Sequence, residues 1–256
     1  MKNYSWIFMK TKGIIFDFGF TLFEFKDASV ENYLNSYKEG LNKTVERLKE
    51  CQIIKDNEVE KLFIKTFIKE RNDNFKNSMK TKCEFPTHTI FQSVMEKLGF
   101  EKLKPDYYQH LSDIYHSHEE QQWIPLKNTK KTLEILIENK NLKIAVLSNH
   151  PNHNSIENVL KKYKLLKYFD VIVTSAKFGK RKPDPKIFLY TIEKMGLTDP
   201  SSCVVVGDEY ADIMGGHRVG LTPILYERKI KFPFEQEIEI KDYIKVSDIS
   251  EILHYI

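Results

Sequence analysis

From residue 141 onward the chain alternates short apolar runs with amphipathic stretches. Positions 143–148, 171–175, 203–208 and 222–227 are almost continuously apolar, with a weaker run at 243–246. Strands covered on both faces read this way, so parallel strands are predicted there. Helical patterns fill the gaps at about 128–140, 152–167 and 184–196. In the last of these Asp184 suits an N-cap, Pro185 the first helical position and Gly196 the stop. This alternation predicts a doubly wound, Rossmann-like α/β parallel sheet with right-handed crossovers.

An earlier apolar run, Gly13-Ile14-Ile15-Phe16, ends on Asp17 and predicts the first strand. Beyond Asp17 the period changes. Leu34, Tyr37, Leu41, Val45 and Leu48 recur at three- and four-residue steps, as do Val59, Phe63 and Phe67, which is the pattern of amphipathic helices. Residues 25–125 therefore read as a helical insert that returns through Trp123-Ile124-Pro125. The expected division is a core of 1–24 and 126–256 with an α-helical domain of 25–125 inserted in it.

Composition narrows the class. With 256 residues, 41% of them hydrophobic and 30% charged, the chain can bury a full core as an ordinary soluble protein. A dispersed net charge of +4 argues against nucleic acid as a partner. The densest basic run, 177–182, reads as a solvated loop around one functional lysine. Cys51, Cys83 and Cys203 are widely spaced, without zinc or disulfide patterning, which suits a reducing compartment. The first ten residues lack a signal-peptide core, and no apolar run approaches a membrane span. A cytoplasmic location without membrane contact is expected; oligomeric state is not legible.

The candidate chemistry lies at predicted strand ends. Asp17, Ser148 with Asn149, Lys182, and Asp208 with Asp212 each fall at or just beyond the carboxyl end of a strand, the edge where open α/β sheets bind ligands. Three carboxylates make an oxygen-rich site for Mg2+. A lysine, a hydroxyl and backbone N–H groups can hold a phosphoryl group. One carboxylate can then attack in line to give an aspartyl phosphate.

Four segments carry a resemblance: Asp17-Phe18-Gly19-Phe20-Thr21-Leu22; Leu147-Ser148-Asn149; residues 179–188, Gly-Lys-Arg-Lys-Pro-Asp-Pro-Lys-Ile-Phe; and Val206-Gly207-Asp208-Glu209-Tyr210-Ala211-Asp212. The chain resembles the haloacid dehalogenase-like hydrolase superfamily, and the helical insert matches that family's cap between its first and second motifs. The resemblance implies a Mg2+-dependent phosphatase of a small phosphorylated metabolite. Asp17 would be nucleophile and metal ligand, with the Gly19 carbonyl a second ligand. Ser148 and Asn149 would bind phosphate, Lys182 would steady Asp17 and the phosphate, and Asp208 and Asp212 would hold the metal.

One position departs from the family pattern. Its phosphatases usually place a second aspartate two residues after the nucleophile as general acid and base; here that residue is Gly19, with the bulky Phe20 next to it. Such acid–base help is worth roughly 10²–10⁴ in rate. His150 is the first candidate for a substitute proton carrier, with Glu209 and Glu24 behind it. The departure keeps other readings open: a dehalogenase, although those relatives usually have serine where Asp208 stands; a phosphonate hydrolase, which would need a cap lysine; or a binding protein that lost its acid. His110, His116 and His118 have no familiar metal spacing and read as cap surface or core. The phenylalanines from Phe16 to Phe25 read as core, with Phe23 or Phe25 candidates for substrate contact. Residues 235–241 read as a charged surface segment.

Overall fold

The computed structural model describes residues 11–28, 30–232 and 235–256; the predicted absence of a signal peptide falls outside them. Six strands form one parallel sheet: β1 (Gly13–Phe16), β4 (Lys143–Ser148), β5 (Val171–Thr174), β6 (Cys203–Gly207), β7 (Thr222–Tyr226) and β8 (Ile244–Val246). Their spatial order is β5-β4-β1-β6-β7-β8. Between β1 and β4 in the chain, β2 (Phe23–Phe25) and β3 (Trp123–Pro125) pair as a short antiparallel ribbon. The sequence did not predict this ribbon, because three-residue strands are too short to show a period.

Side-chain alternation explains the two-sided cover of the sheet. Ile14, Phe16, Ile144, Val146, Val204 and Val206 enter one apolar cluster, packed by α5 (Thr129–Leu136) and α6 (His153–Lys162). Ile15, Ala145, Leu147, Val173 and Val205 point the other way and meet Ile187, Phe188 and Ile192 of α8 (Pro185–Lys194). Asp184 caps α8 by accepting from Lys186 N, as predicted. The helix predicted at 152–167 stops at Lys162; Lys164 turns left-handed (φ 58°), and a 3-10 turn covers Leu166–Tyr168. Strand β5 ends at Thr174, not at 175, because the Thr174 hydroxyl caps the short helix α7 (Ser175–Phe178).

The helical pattern after Asp17 resolves into α1 (Val30–Glu50), α2 (Asn57–Thr81), α3 (Thr87–Lys97) and α4 (Pro105–Gln122). Leu41, Val45, Leu48, Phe63, Phe67, Phe91 and Tyr115 make a cluster of their own. These helices lie over the carboxyl edge of the sheet, and a cavity of about 530 Å³ runs between that edge and their inner faces. Polar contacts tie them to the core: Arg181 pairs with Glu84, Thr87 N donates to Pro151 O, and Asn152 Nδ2 donates to Asp113. No helix among the described residues is long and apolar enough to cross a membrane.

Candidate active site

The sheet order switches at β1, with β4 on one side and β6 on the other, and the crevice opens at such a point. Asp17 is the residue after β1, Ser148 ends β4, and Asp208 comes directly after β6. Asp212 lies in the first turn of α9 (Tyr210–Arg218). The fold brings Asp17, Asp208 and Asp212 together so that one carboxylate oxygen of each lies within 4.8 Å of the others. Gly207 makes this approach feasible: a Cβ there would lie 2.2 Å from Asp212 Cγ.

Lys182 is buried between these acids. Its Nζ donates to Asp17 Oδ1 at 2.5 Å, Asp212 Oδ1 at 2.6 Å and the Leu147 carbonyl at 2.9 Å. The Lys182–Pro183 bond is cis. Asn149 grips the Lys182 backbone at both ends, its Oδ1 accepting from Lys182 N at 2.8 Å and its Nδ2 donating to Lys182 O at 3.0 Å. Its amide is thus committed to placing the lysine. Ser148 is buried and lines the cavity.

Asp208 has two partners that the sequence did not disclose. Thr21 Oγ1 donates to Oδ1 at 2.9 Å, and Arg228 pairs with Oδ2. Arg228, just past β7, stacks on Phe232 (5.0 Å) and donates to Glu235 at 2.6 Å. The signal for it was positional: it lies just past the fifth apolar run, as the other site residues lie past theirs. Residues 235–241 are a mostly exposed charged segment outside any strand, as read from the sequence, and Glu235 in it anchors Arg228.

Burial governs the charges. It pushes the Asp212 carboxyl up to about 8 against the opposing pull of Lys182. Asp208 is raised well above the ordinary carboxylate range by burial and then by Asp17. Lys182 loses from burial, but Asp17, then Asp212 and Glu209, outweigh that and hold its ammonium firmly charged. Crowded acids that resist ionising, and a buried Asp212 Oδ2 without a partner, are what a divalent oxygen-liganded cation relieves. The donor set therefore fits Mg2+.

Gly19 lies against the Trp123 ring. Phe18 and Phe20 line the cavity, whereas Phe23 and Phe25 are core and Glu24 does not reach it. The basic run is not a solvated loop throughout, since Lys180 and Arg181 bond Cys83 and Glu84 of the inserted segment. His110 is exposed and His118 half-buried. His116 is buried and, with Glu119, meets His150, whose ring nitrogens face Asn152 and Glu119.

Comparison with known proteins agrees with this architecture. The family model described as haloacid dehalogenase-like hydrolase matches residues 14–225. The chain belongs to that family of hydrolases. Among curated relatives, a phosphoglycolate phosphatase of Aquifex aeolicus is 33% identical over 129 residues, 50% of this chain and 59% of the relative. A pyrimidine 5'-nucleotidase of Escherichia coli is 39% identical over 83 residues, 32% of this chain and 36% of the relative. The match thus spans about a third to three-fifths of those relatives' length. A 2-haloacid dehalogenase from Pseudomonas syringae aligns with TM-score 0.63 at 19% identity, covering 96% of this chain and 97% of that one. A phosphatase of the family from Thermococcus onnurineus aligns with TM-score 0.56 at 22% identity, covering 95% and 97%. These structures speak for the shared fold.

Proposed function

We propose that this hydrolase is a Mg2+-dependent phosphomonoesterase of small phosphorylated metabolites. The observation that carries the reading is the convergence of Asp17, Asp208 and Asp212 around the Lys182 ammonium at the switch point. Phosphatase relatives matched over parts of the chain support it. Asp17, the Gly19 carbonyl, Asp208 and Asp212 are the proposed ligands of Mg2+, which when bound would offset phosphate charge as a Lewis acid.

Lys182 holds Asp17 through Oδ1. An Asp17 oxygen attacks phosphorus, the ester P–O bond breaks, and an aspartyl phosphate forms as the alcohol leaves. Water then cleaves the acyl phosphate and regenerates the carboxylate. Ser148 Oγ and nearby backbone N–H groups bind phosphoryl oxygens. The proton for the leaving group comes from solvent in the cavity, because Gly19 has no acid to give; activated phosphates are therefore the better substrates. Residues 25–125 act as a cap that encloses the substrate and limits bulk water, over a core of 1–24 and 126–256.

The test is phosphate release across a metabolite panel, with and without Mg2+, from the intact chain and from Asp17→Asn. Release that needs both Mg2+ and Asp17 is expected. Silence over the panel with Mg2+ still bound would favour a binding protein, and halide release without Mg2+ a dehalogenase.

A further inference from the structure

We propose that His116, Glu119 and His150 form a second metal site, selective for a Zn2+-like transition cation, at the seam between α4 and the loop after β4. The site stands apart from the three aspartates and does not depend on the phosphatase reading.

Geometry is the first argument. His116 and Glu119 lie three residues apart on α4, so they share a face, and His150 approaches from the core. His116 Nδ1 is 2.9 Å from Glu119 Oε2, and His150 Nε2 is 3.3 Å from Glu119 Oε1. One ligand atom from each residue falls within 4.8 Å of the others. Zinc holds nitrogen and oxygen ligands at about 2.0–2.2 Å, which sets neighbouring ligands about 3–3.6 Å apart. Both histidine–glutamate pairs already stand near that spacing, and all three ligand atoms lie within 4.8 Å.

The outer partners make the second argument. Metal-bound imidazoles give their other ring nitrogen to a fixed hydrogen-bond partner, which turns the free lone pair toward the ion. His150 Nδ1 faces the Asn152 carbonyl at 2.7 Å. A carbonyl only accepts, so this nitrogen carries hydrogen; the Asn152 N–H contact to the same atom is longer, at 3.1 Å. His116 Nε2 has the Thr87 hydroxyl at 2.8 Å. Trp123 Nε1 donates to Glu119 Oε1 at 3.3 Å, steadying the carboxylate as well. The Thr87 hydroxyl can accept as well as donate, so His116 can carry its hydrogen on Nε2 when a metal takes Nδ1; in that tautomer two imidazole lone pairs and a carboxylate point at one another. Three acceptors meeting in a buried place need a cation between them. A proton on His150 can serve, and a metal ion that displaces it serves all three at once.

Donor chemistry then sorts the two sites. Two nitrogens and one oxygen favour Zn2+, Co2+ or Ni2+ over Mg2+, whereas the aspartates offer oxygen alone. His116, Glu119 and His150 are 1%, 2% and 7% exposed, yet all three line the cavity. The ion thus has access, and a coordination position open to water or an anionic substrate group. Bound there, it fastens α4 to the segment just beyond Ser148 and Asn149.

The test uses the full chain, stripped by chelator and kept in saturating Mg2+, titrated with Zn2+ and Co2+ by calorimetry and by visible absorption of the cobalt form. One tight equivalent is expected, with a cobalt spectrum of imidazole ligation. Affinity should fall at least about 100-fold in His116→Gln and His150→Gln and persist in Asp208→Asn. Absence of saturable binding in the parent chain overturns the proposal, as does equal binding by both histidine variants or its loss in Asp208→Asn. Should a variant fail to fold, the cobalt spectrum of the parent chain decides alone: oxygen-only ligation overturns the site.

Discussion

The indole of Trp123 stands where a side chain at position 19 would begin: a Cβ built on Gly19 would lie 3.0 Å from Trp123 Cη2. The ring is 5% exposed and packs edge-on against Phe18, Phe20 and Phe25. It cannot swing aside without disturbing all three. The missing acid is therefore matched by a filled space. Gly19→Asp alone should lose about 1–3 kcal/mol of stability through overpacking and gain little activity. Paired with Trp123→Leu, it should raise turnover of alkyl phosphates, with general acid catalysis setting a ceiling of about 10²–10⁴. Denaturant melts and kinetics on alkyl against aryl phosphates check both parts. A large gain from the single substitution counts against the steric account.

Arg228 and a divalent ion compete for Asp208. The guanidinium pairs with Oδ2 while Thr21 holds Oδ1. Repulsion from Arg228 acts on a 2+ ion twice as strongly as on a proton. Arg228→Gln should therefore tighten Mg2+ binding even though Asp208 also holds its proton more firmly. A gain of about tenfold, 1.4 kcal/mol, is expected from calorimetry at constant pH. Unchanged or weaker binding would show that Arg228 helps to shape the metal site instead.

Both residues mark the limit of what the sequence could disclose. Asp17, Ser148, Lys182 and Asp208 were legible because each lies past or at the end of a buried apolar run, and parallel strands align their carboxyl ends. Thr21, past β1, and Arg228, past β7, were not legible as partners of Asp208, the latter because it sits in a polar stretch with no motif to single it out. Trp123 was legible only as the return from the insert, because its contact with Gly19 depends on a ribbon of two three-residue strands. His116 was read as cap surface or core and is buried, but its pairing was not legible. Its partner His150 is remote in sequence, and only the packing of α4 over the loop between β4 and α6 brings the two rings to 4.9 Å.

Arg71 carries the expectation about substrate. It lines the cavity on α2, 4.6 Å above the Tyr37 ring, with no carboxylate partner among the described residues. Tyr33, Phe67 and Phe75 share that wall. A guanidinium held there suits a second anionic group on the substrate, through charge-assisted hydrogen bonds worth about 1.5–3 kcal/mol. Arg71→Met should raise KM about 10- to 150-fold for substrates with a second carboxylate or phosphate. Because the contact is remote from the reacting bond, kcat should hold. For p-nitrophenyl phosphate neither constant should move. A fall in kcat for both substrates would place Arg71 in the chemistry instead.

The buried His150–Glu119 pair sets a pH dependence for the metal-stripped protein. Burial disfavours the imidazolium, but Glu119 beside it raises the His150 pKa above its ordinary 6.5, helped by the Asn152 carbonyl and Glu84. Burial opposes Glu119 too, yet His150 and then His116 carry its carboxyl far below its ordinary 4.5. His116 is pushed down by burial, against the pull of Glu119 and Asp113, and stays neutral. A raised histidine stabilises the fold fully below 6.5, and the gain is lost as pH rises through the folded value. A lowered carboxylate stabilises above 4.5, and its gain is lost on acidification. The pair's contribution should therefore peak between 4.5 and 6.5 and decline on the alkaline side. Glu119→Gln should cost about 3–5 kcal/mol within that window, because it leaves one buried charge without its partner. It should also flatten the alkaline decline. Thermal melts across pH, with chelator and then with Zn2+, read both effects. Zinc should stabilise more as pH rises, since it takes the place of the proton that His150 gives up. An alkaline decline unchanged in Glu119→Gln would assign it to other groups.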